Sequence, residues 1–150
     1  MSADDHITYV TVDVGGQMFG IAISRVREVF GLERLTRVPL ASSEIAGVLN
    51  LRGRIVTAID LRTRLGLPAK AVEAGAMAVG VDYQNEAFAL LVDHVGDVLA
   101  LSAASREDAP PTLDPRWSQI ATGVHRLDGG LMLVLDVDRA LEFRAVAQAA

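Results

Sequence analysis

Few side chains in this sequence have the type and spacing to do chemistry. The three histidines, His6, His94 and His125, show no metal-pair spacing. His94 follows Asp93 directly, and neighbours along a strand point to opposite faces. Ordinary surface or turn histidines are expected. Asp60 and Asp136 would suit general acid–base work if they met, but each stands where a strand passes into a helix and reads as a helix cap. Asp82, Asp93 and Asp97 lack the spacing of a calcium loop and read as solvated acids at strand ends. The 13 glycines form no GxxxxGK loop, and Gly15-Gly16 lies between strands, not ahead of a helix. There is no cysteine, hence no thiolate, disulfide or cysteine-based zinc site. No enzyme, metal or cofactor is expected from these residues.

What remains is a polar corner, Asn50-Leu51-Arg52-Gly53, set between the apolar runs Ile45–Leu49 and Ile55–Ile59. Glu28 precedes Val29 and Phe30 in the same half of the chain, so an Arg52–Glu28 ion pair on a partly apolar surface is plausible. An exposed pair contributes only about 0–1 kcal/mol, so it would shape and orient a binding surface more than it would hold the fold.

The elements that must position this corner are short. Ile7 to Val14 alternates, with Val10, Val12 and Val14 on one face and Tyr9, Thr11 and Asp13 on the other, and predicts a half-buried strand. Gly15-Gly16 turns it into a second strand, Gln17–Ile23, followed by a helical turn that leads into a strand through Phe30. Glu33–Pro39 reads as another strand, ended by Pro39. The corner is then the tight turn of a hairpin, with Asp60 capping a short helix. Pro68–Ala74 is a small connector. Further strands follow at Ala76–Tyr83, Ala87–Val92 and Val95–Leu101, with the turn Gln84-Asn85. Ser102–Leu113 reads as irregular, Asp114-Pro115 opens a short helix, and Trp117 closes a barrel end. Asp136 caps the last helix, and Arg144–Ala150 has no evident structural duty.

The second half repeats the first. Phe88 to Leu99 aligns without gaps on Phe19 to Phe30, and Leu127 to Leu141 on Leu51 to Leu65, with glycine at the turn and a carboxylate at the helix cap. Each half is too small to hold a strong core alone, so two small barrels sharing an apolar seam are expected. The boundaries fall near residues 15–67 and 76–143 of a single 1–150 domain, with strands near the termini open to exchange between barrels.

Composition narrows the partners. The net charge of −5 argues against nucleic acid, which needs clustered Lys and Arg. Lys70 is the only lysine, so positive charge is carried by arginine, which favours directional carboxylate pairing. Half the residues are apolar, yet no run nears the roughly 20 residues of a membrane span. The acidic start Met1–His6 is unlike a signal peptide. A cytoplasmic protein is expected.

Phe19-Gly20-Ile21, Val26-x-Glu28-Val29, Val38-Pro39, Gly47-Val48-x-Asn50-Leu51-Arg52-Gly53-x-Ile55-Val56 and Ile59-Asp60-Leu61-Arg62 closely resemble the CheW family of bacterial chemotaxis coupling proteins. Val92-Asp93-x-Val95-x-Asp97-Val98-Leu99 continues the match, which runs from Ile7 to Phe143. The resemblance implies an all-β fold of two intertwined SH3-like five-stranded barrels related by a pseudo-two-fold repeat, with short helices. It implies a non-enzymatic adaptor joining the histidine kinase CheA, through its regulatory domain, to the cytoplasmic tip of chemoreceptors, with CheW–CheW ring contacts also open. By motif, Glu28 and Arg52 match the family's signalling pair. Ile23, Val26, Asn50 and Gly53 would line or shape a receptor-facing groove, and Gly47 matches a coupling-sensitive position. His94 and the corner Gly123–Arg126 depart from the family pattern. The alternatives are a free-standing kinase regulatory domain, a fragment of a CheV-like protein, a CheW-like scaffold in a non-motility chemosensory pathway, and, in another class, an enzyme built on Asp60 and Asp136.

Overall fold

The structure, a computed structural model, describes residues 5–39, 42–68 and 76–142. The tail Arg144–Ala150 and most of the connector Pro68–Ala74 lie outside the described residues. Among those described, the strands are β1 (His6–Val14), β2 (Gln17–Ala22), β3 (Val26–Gly31), β4 (Ile45–Leu51), β5 (Arg54–Asp60), β6 (Met77–Tyr83), β7 (Glu86–Val92), β8 (His94–Ser102), β9 (Ala121–Leu127) and β10 (Gly130–Leu135). Short helices occupy α1 (Leu61–Arg64), α2 (Pro115–Ser118) and α3 (137–142).

The strands make two five-stranded sheets, ordered β8-β1-β2-β10-β9 and β3-β6-β7-β5-β4. Replacing each strand by its counterpart in the other half of the chain (β1 by β6, β2 by β7, and so on) converts one order into the other. Register repeats as well: Thr57 pairs with Phe88 in the parallel β5–β7 ladder, and Leu133 with Phe19 in the parallel β10–β2 ladder. The repeat is thus a pseudo-two-fold in three dimensions. Both sheets draw strands from residues 15–67 and from residues 76–143, so neither half of the chain makes a sheet by itself.

Each two-residue hairpin turn carries a glycine or asparagine suited to positive φ, while Arg52 and Gln84 are drawn into that region by the turn. Gly15-Gly16, Arg52-Gly53 and Gln84-Asn85 are two-residue turns with both φ angles positive, the hand that matches strand twist. Asp60 accepts from the amide of Arg62 at 2.9 Å and starts α1; Asp136 accepts from the amide of Arg139 at 3.1 Å and starts α3. Both expected carboxylates are therefore caps. Asp114 caps α2 through the Arg116 amide at 2.8 Å, and Trp117 packs on Phe19 with its indole N–H donated to the Leu65 carbonyl.

The largest core lies between the sheets, where Val12, Val14, Phe19 and Ile21 meet Ile59, Val81, Phe88 and Leu90, with Leu61, Leu65 and Leu141 of the helices closing its margins. Each sheet also curls around a smaller interior. One is filled by Leu49, Val56, Ala58, Ala78 and Ala89, the other by Tyr9, Met132 and Val134. Strands between two interiors are buried on both faces, which is why β7 (EAFALLV) and β10 (GLMLVL) run almost without polar residues.

Three expectations are corrected here. β1 is not half-buried: Tyr9 and Thr11, on its more polar face, are buried because that face points into its own barrel. Glu33–Pro39 is not a strand but an irregular segment that crosses the edge of β4 once, where Thr36 and Val48 exchange both backbone hydrogen bonds at 2.8 and 2.7 Å. His125 is not a surface histidine. It lies in β9, 1% exposed, between the Tyr9 hydroxyl at 3.3 Å from Nε2 and the Ser105 hydroxyl at 3.1 Å from Nδ1.

Candidate functional site

β3 and β4 are the two edges of their sheet, and the barrel closes where these edges approach. Glu28 stands on β3 and Arg52 in the turn after β4, and their side chains form an ion pair across that seam. The pair is asymmetric in exposure, with Arg52 70% exposed and Glu28 29%. Arg52 is held in the left-handed region at φ 52° because the hairpin turn requires it, and the Asn50 carboxamide oxygen accepts the Gly53 amide at 2.9 Å to brace the same turn. The turn therefore fixes where the Arg52 side chain leaves the backbone, and the contact with Glu28 places its guanidinium.

Beneath the pair runs a groove of about 530 Å³. Val26, Phe30 and Val56 supply apolar wall and floor, while Glu28, Arg52 and Arg54 form a charged rim. The lining holds apolar, acidic and basic side chains, with no Ser, Thr, Cys or His among them.

The residues singled out by motif separate into groups. Val26, Glu28 and Arg52 line the groove. Asn50 and Gly53 shape it indirectly, through the turn. Ile23 lies in the 3-10 turn ahead of β3, 48% exposed and outside the groove lining. Gly47 is also elsewhere. A Cβ there would press on the Thr36 carbonyl oxygen and come within 3.0 Å of the Leu35 side chain, so the close approach at Gly47 is to its own chain. Its counterpart Gly123 meets the Glu107 carbonyl in the same way, at 2.8 Å.

Sequence reasoning missed Phe30, Arg54 and Asp82 in the lining. Asp82 comes from β6, in the other half of the chain, and no local spacing could have brought it here. It also misjudged Asp93, which is not a solvated strand end: its carboxylate accepts from Arg62 at 2.6 Å and from the Gly15 amide at 2.8 Å.

The family model for the CheW-like domain matches residues 8–144. The chain belongs to that family. Chemotaxis protein CheW of Klebsiella aerogenes is 27% identical, over 93% of this chain and 84% of that protein. Chemotaxis protein CheW of Rhizobium meliloti is 30% identical, over 83% of this chain and 81% of that protein. Among solved structures, the scaffolding protein TtCheW from Thermoanaerobacter tengcongensis superposes with a TM-score of 0.81 at 25% identity, covering 92% of this chain and 94% of that one. The fold is accordingly the expected pair of intertwined SH3-like barrels, and the departures at His94 and Gly123–Arg126 leave family membership intact. No described helix is long and apolar enough to cross a membrane.

Proposed function

We propose that this chain is a non-enzymatic scaffold that couples a CheA-type histidine kinase to the cytoplasmic tips of chemoreceptors, at membrane-associated receptor arrays. The observation that carries the reading is the groove under the Glu28–Arg52 pair, in a chain whose relatives are named chemotaxis and scaffolding proteins. A receptor tip is a helical hairpin, and a groove with an apolar floor and a charged rim suits one face of a helix. Val26 and Phe30 supply the apolar contact. Glu28 and Arg52 orient the docked helix, Asn50 and Gly53 hold the turn that presents Arg52, and Ile23 extends the apolar surface beside it. Exposed apolar side chains recur at matching places in the two barrels, Val29 and Ile55 in one, Val98 and Leu131 in the other. These patches are available to the kinase regulatory domain and to ring contacts between copies.

The test is calorimetric titration of the purified protein with the isolated regulatory domain of its own organism's CheA, and separately with a receptor-tip hairpin. Saturable one-to-one binding to both is expected. Absence of binding to every CheA of that organism would remove the coupling role and leave a divergent scaffold.

A further inference from the structure

Past Asp82 the groove opens into a second recess of about 410 Å³, and the two share Arg27, Arg54 and Asp82 in their walls. Arg25 and Asp138 also line the recess and pair with each other at 2.8 Å, while Arg27 pairs with Asp82 at 3.2 Å. Arg54 has no ion-pair partner among the described residues. In a chain of net charge −5 this is a local surplus of guanidinium at the mouth of the groove.

The internal repeat shows that the fold does not ask for these arginines. Arg27 aligns on Gly96 and Arg54 on Gly130 of the other barrel. The registers agree, since Arg54 pairs across its hairpin with Leu51 as Gly130 does with Leu127. The β9–β10 hairpin keeps this pairing with a glycine in place of Arg54, although its turn differs, Asp128-Gly129 lacking the positive φ of Arg52-Gly53 and Gly130 standing at φ 138°. Arg54 is exposed and sits two residues before Val56, on the same face of β5, so its fork stands at the rim of the groove that Val56 floors.

We infer that Arg54, flanked by Arg27, is a specificity-determining residue of the groove, receiving a carboxylate carried by the helix that docks there. This rests on the groove being the receptor-tip docking surface. A helix laying its apolar stripe over Phe30 and Val56 carries its next side chains, one turn along, toward the rim. A Glu or Asp at that place meets a planar fork suited to bidentate pairing, which a lysine would not offer. Arg27 is engaged by Asp82 and reinforces the field, whereas Arg54 is the cation left to pair with the partner.

The probe is a soluble two-helix fragment of a receptor tip from the same organism, titrated against wild type, Arg54→Gln and Arg54→Glu, with circular dichroism melts to show that each variant is folded. Wild type is expected to bind, Arg54→Gln to bind more weakly, and Arg54→Glu to lose about tenfold or more in affinity, since like charges at an interface are strongly disfavoured. One Asp→Lys or Glu→Lys substitution in the hairpin is expected to restore binding to Arg54→Glu. If wild type and Arg54→Glu bind equally, the role of Arg54 is overturned and the docking surface stands. If Arg54→Glu binds weakly but no acid-to-lysine change in the hairpin rescues it, the carboxylate assignment is overturned. If wild type does not bind the hairpin, docking surface and inference fall together.

Discussion

Arg62 and Asp93 lie 2.6 Å apart, with side chains only 20% and 14% exposed, and together they tie α1 to the junction of β7 and β8. The repeat places a second ion pair at the equivalent junction with its charges reversed. Asp138 of α3 aligns on Arg62, and it binds Arg25, from the 3-10 turn between β2 and β3, at 2.8 Å. The same structural need, fastening a helix start to the adjoining strand junction, is thus met by opposite charge arrangements.

Breaking the Arg62–Asp93 pair should cost stability. Asp93 also accepts the Gly15 amide, so Asp93→Asn weakens two contacts made in a largely desolvated place. A loss of about 1–3 kcal/mol is expected from urea unfolding. The surface pair Arg126–Glu107 is the control: Glu107→Gln should leave the urea midpoint in place.

Substitution at Gly47 should act first on folding. Because a Cβ there meets the crossing segment at Thr36, Gly47→Ala is expected to destabilise by about 1–3 kcal/mol, as overpacking does, and Gly47→Asp by more. Gly123→Ala should show a smaller loss of the same origin, since its nearest carbonyl lies farther away. Thermal melts of the three variants check this. A Gly47→Asp protein as stable as wild type would return the effect to a partner interface.

Arg52→Ala should separate signalling from stability. The pair with Glu28 is mostly exposed on the arginine side, and such pairs contribute about 0–1 kcal/mol. The melting temperature is expected to stay near that of wild type, while receptor-dependent kinase activation in a reconstituted array falls. Full activation by the variant would refute the role given to this corner.

His125 should make stability sensitive to acid. Burial, and then the nearby Arg106 charge, hold its imidazole below the usual value of 6.5. Tyr9 and Ser105 face the ring, so no carboxylate compensates a proton there. Between the folded value and 6.5 the unfolded chain binds more protons than the folded one. Stability is therefore complete above 6.5 and declines as pH falls below it. His125→Leu, which installs the residue found at the equivalent position 49, should flatten the stability–pH profile in that window. Urea titrations across pH 7 to 5 on both proteins measure the difference.

The repeat, the hairpin turns and the helix caps were legible in the sequence because each depends on a few neighbouring residues. Gly15-Gly16 and Gly53 mark turns by the φ angles glycine tolerates, and Asp60 and Asp136 mark helix starts by the amides they satisfy. The Glu28–Arg52 partnership could be suggested from motif and apolar surroundings, but its place across the closing seam of a barrel could not. Tyr9 and His125 were misjudged for a related reason. A polar residue alternating with valine looks solvated until a second interior requires that face to be filled.

The sequence by itself thus determined the local conformations, the two-fold plan and the family, since each is written in short-range spacing repeated along one chain. Tertiary structure decided which faces are buried, that Gly47 crowds its own chain, and that Asp82 of one half completes a groove begun by Val26 and Arg54 of the other. Those outcomes depend on strands from both halves interleaving in each sheet. Side chains distant in sequence become neighbours only when the sheets close.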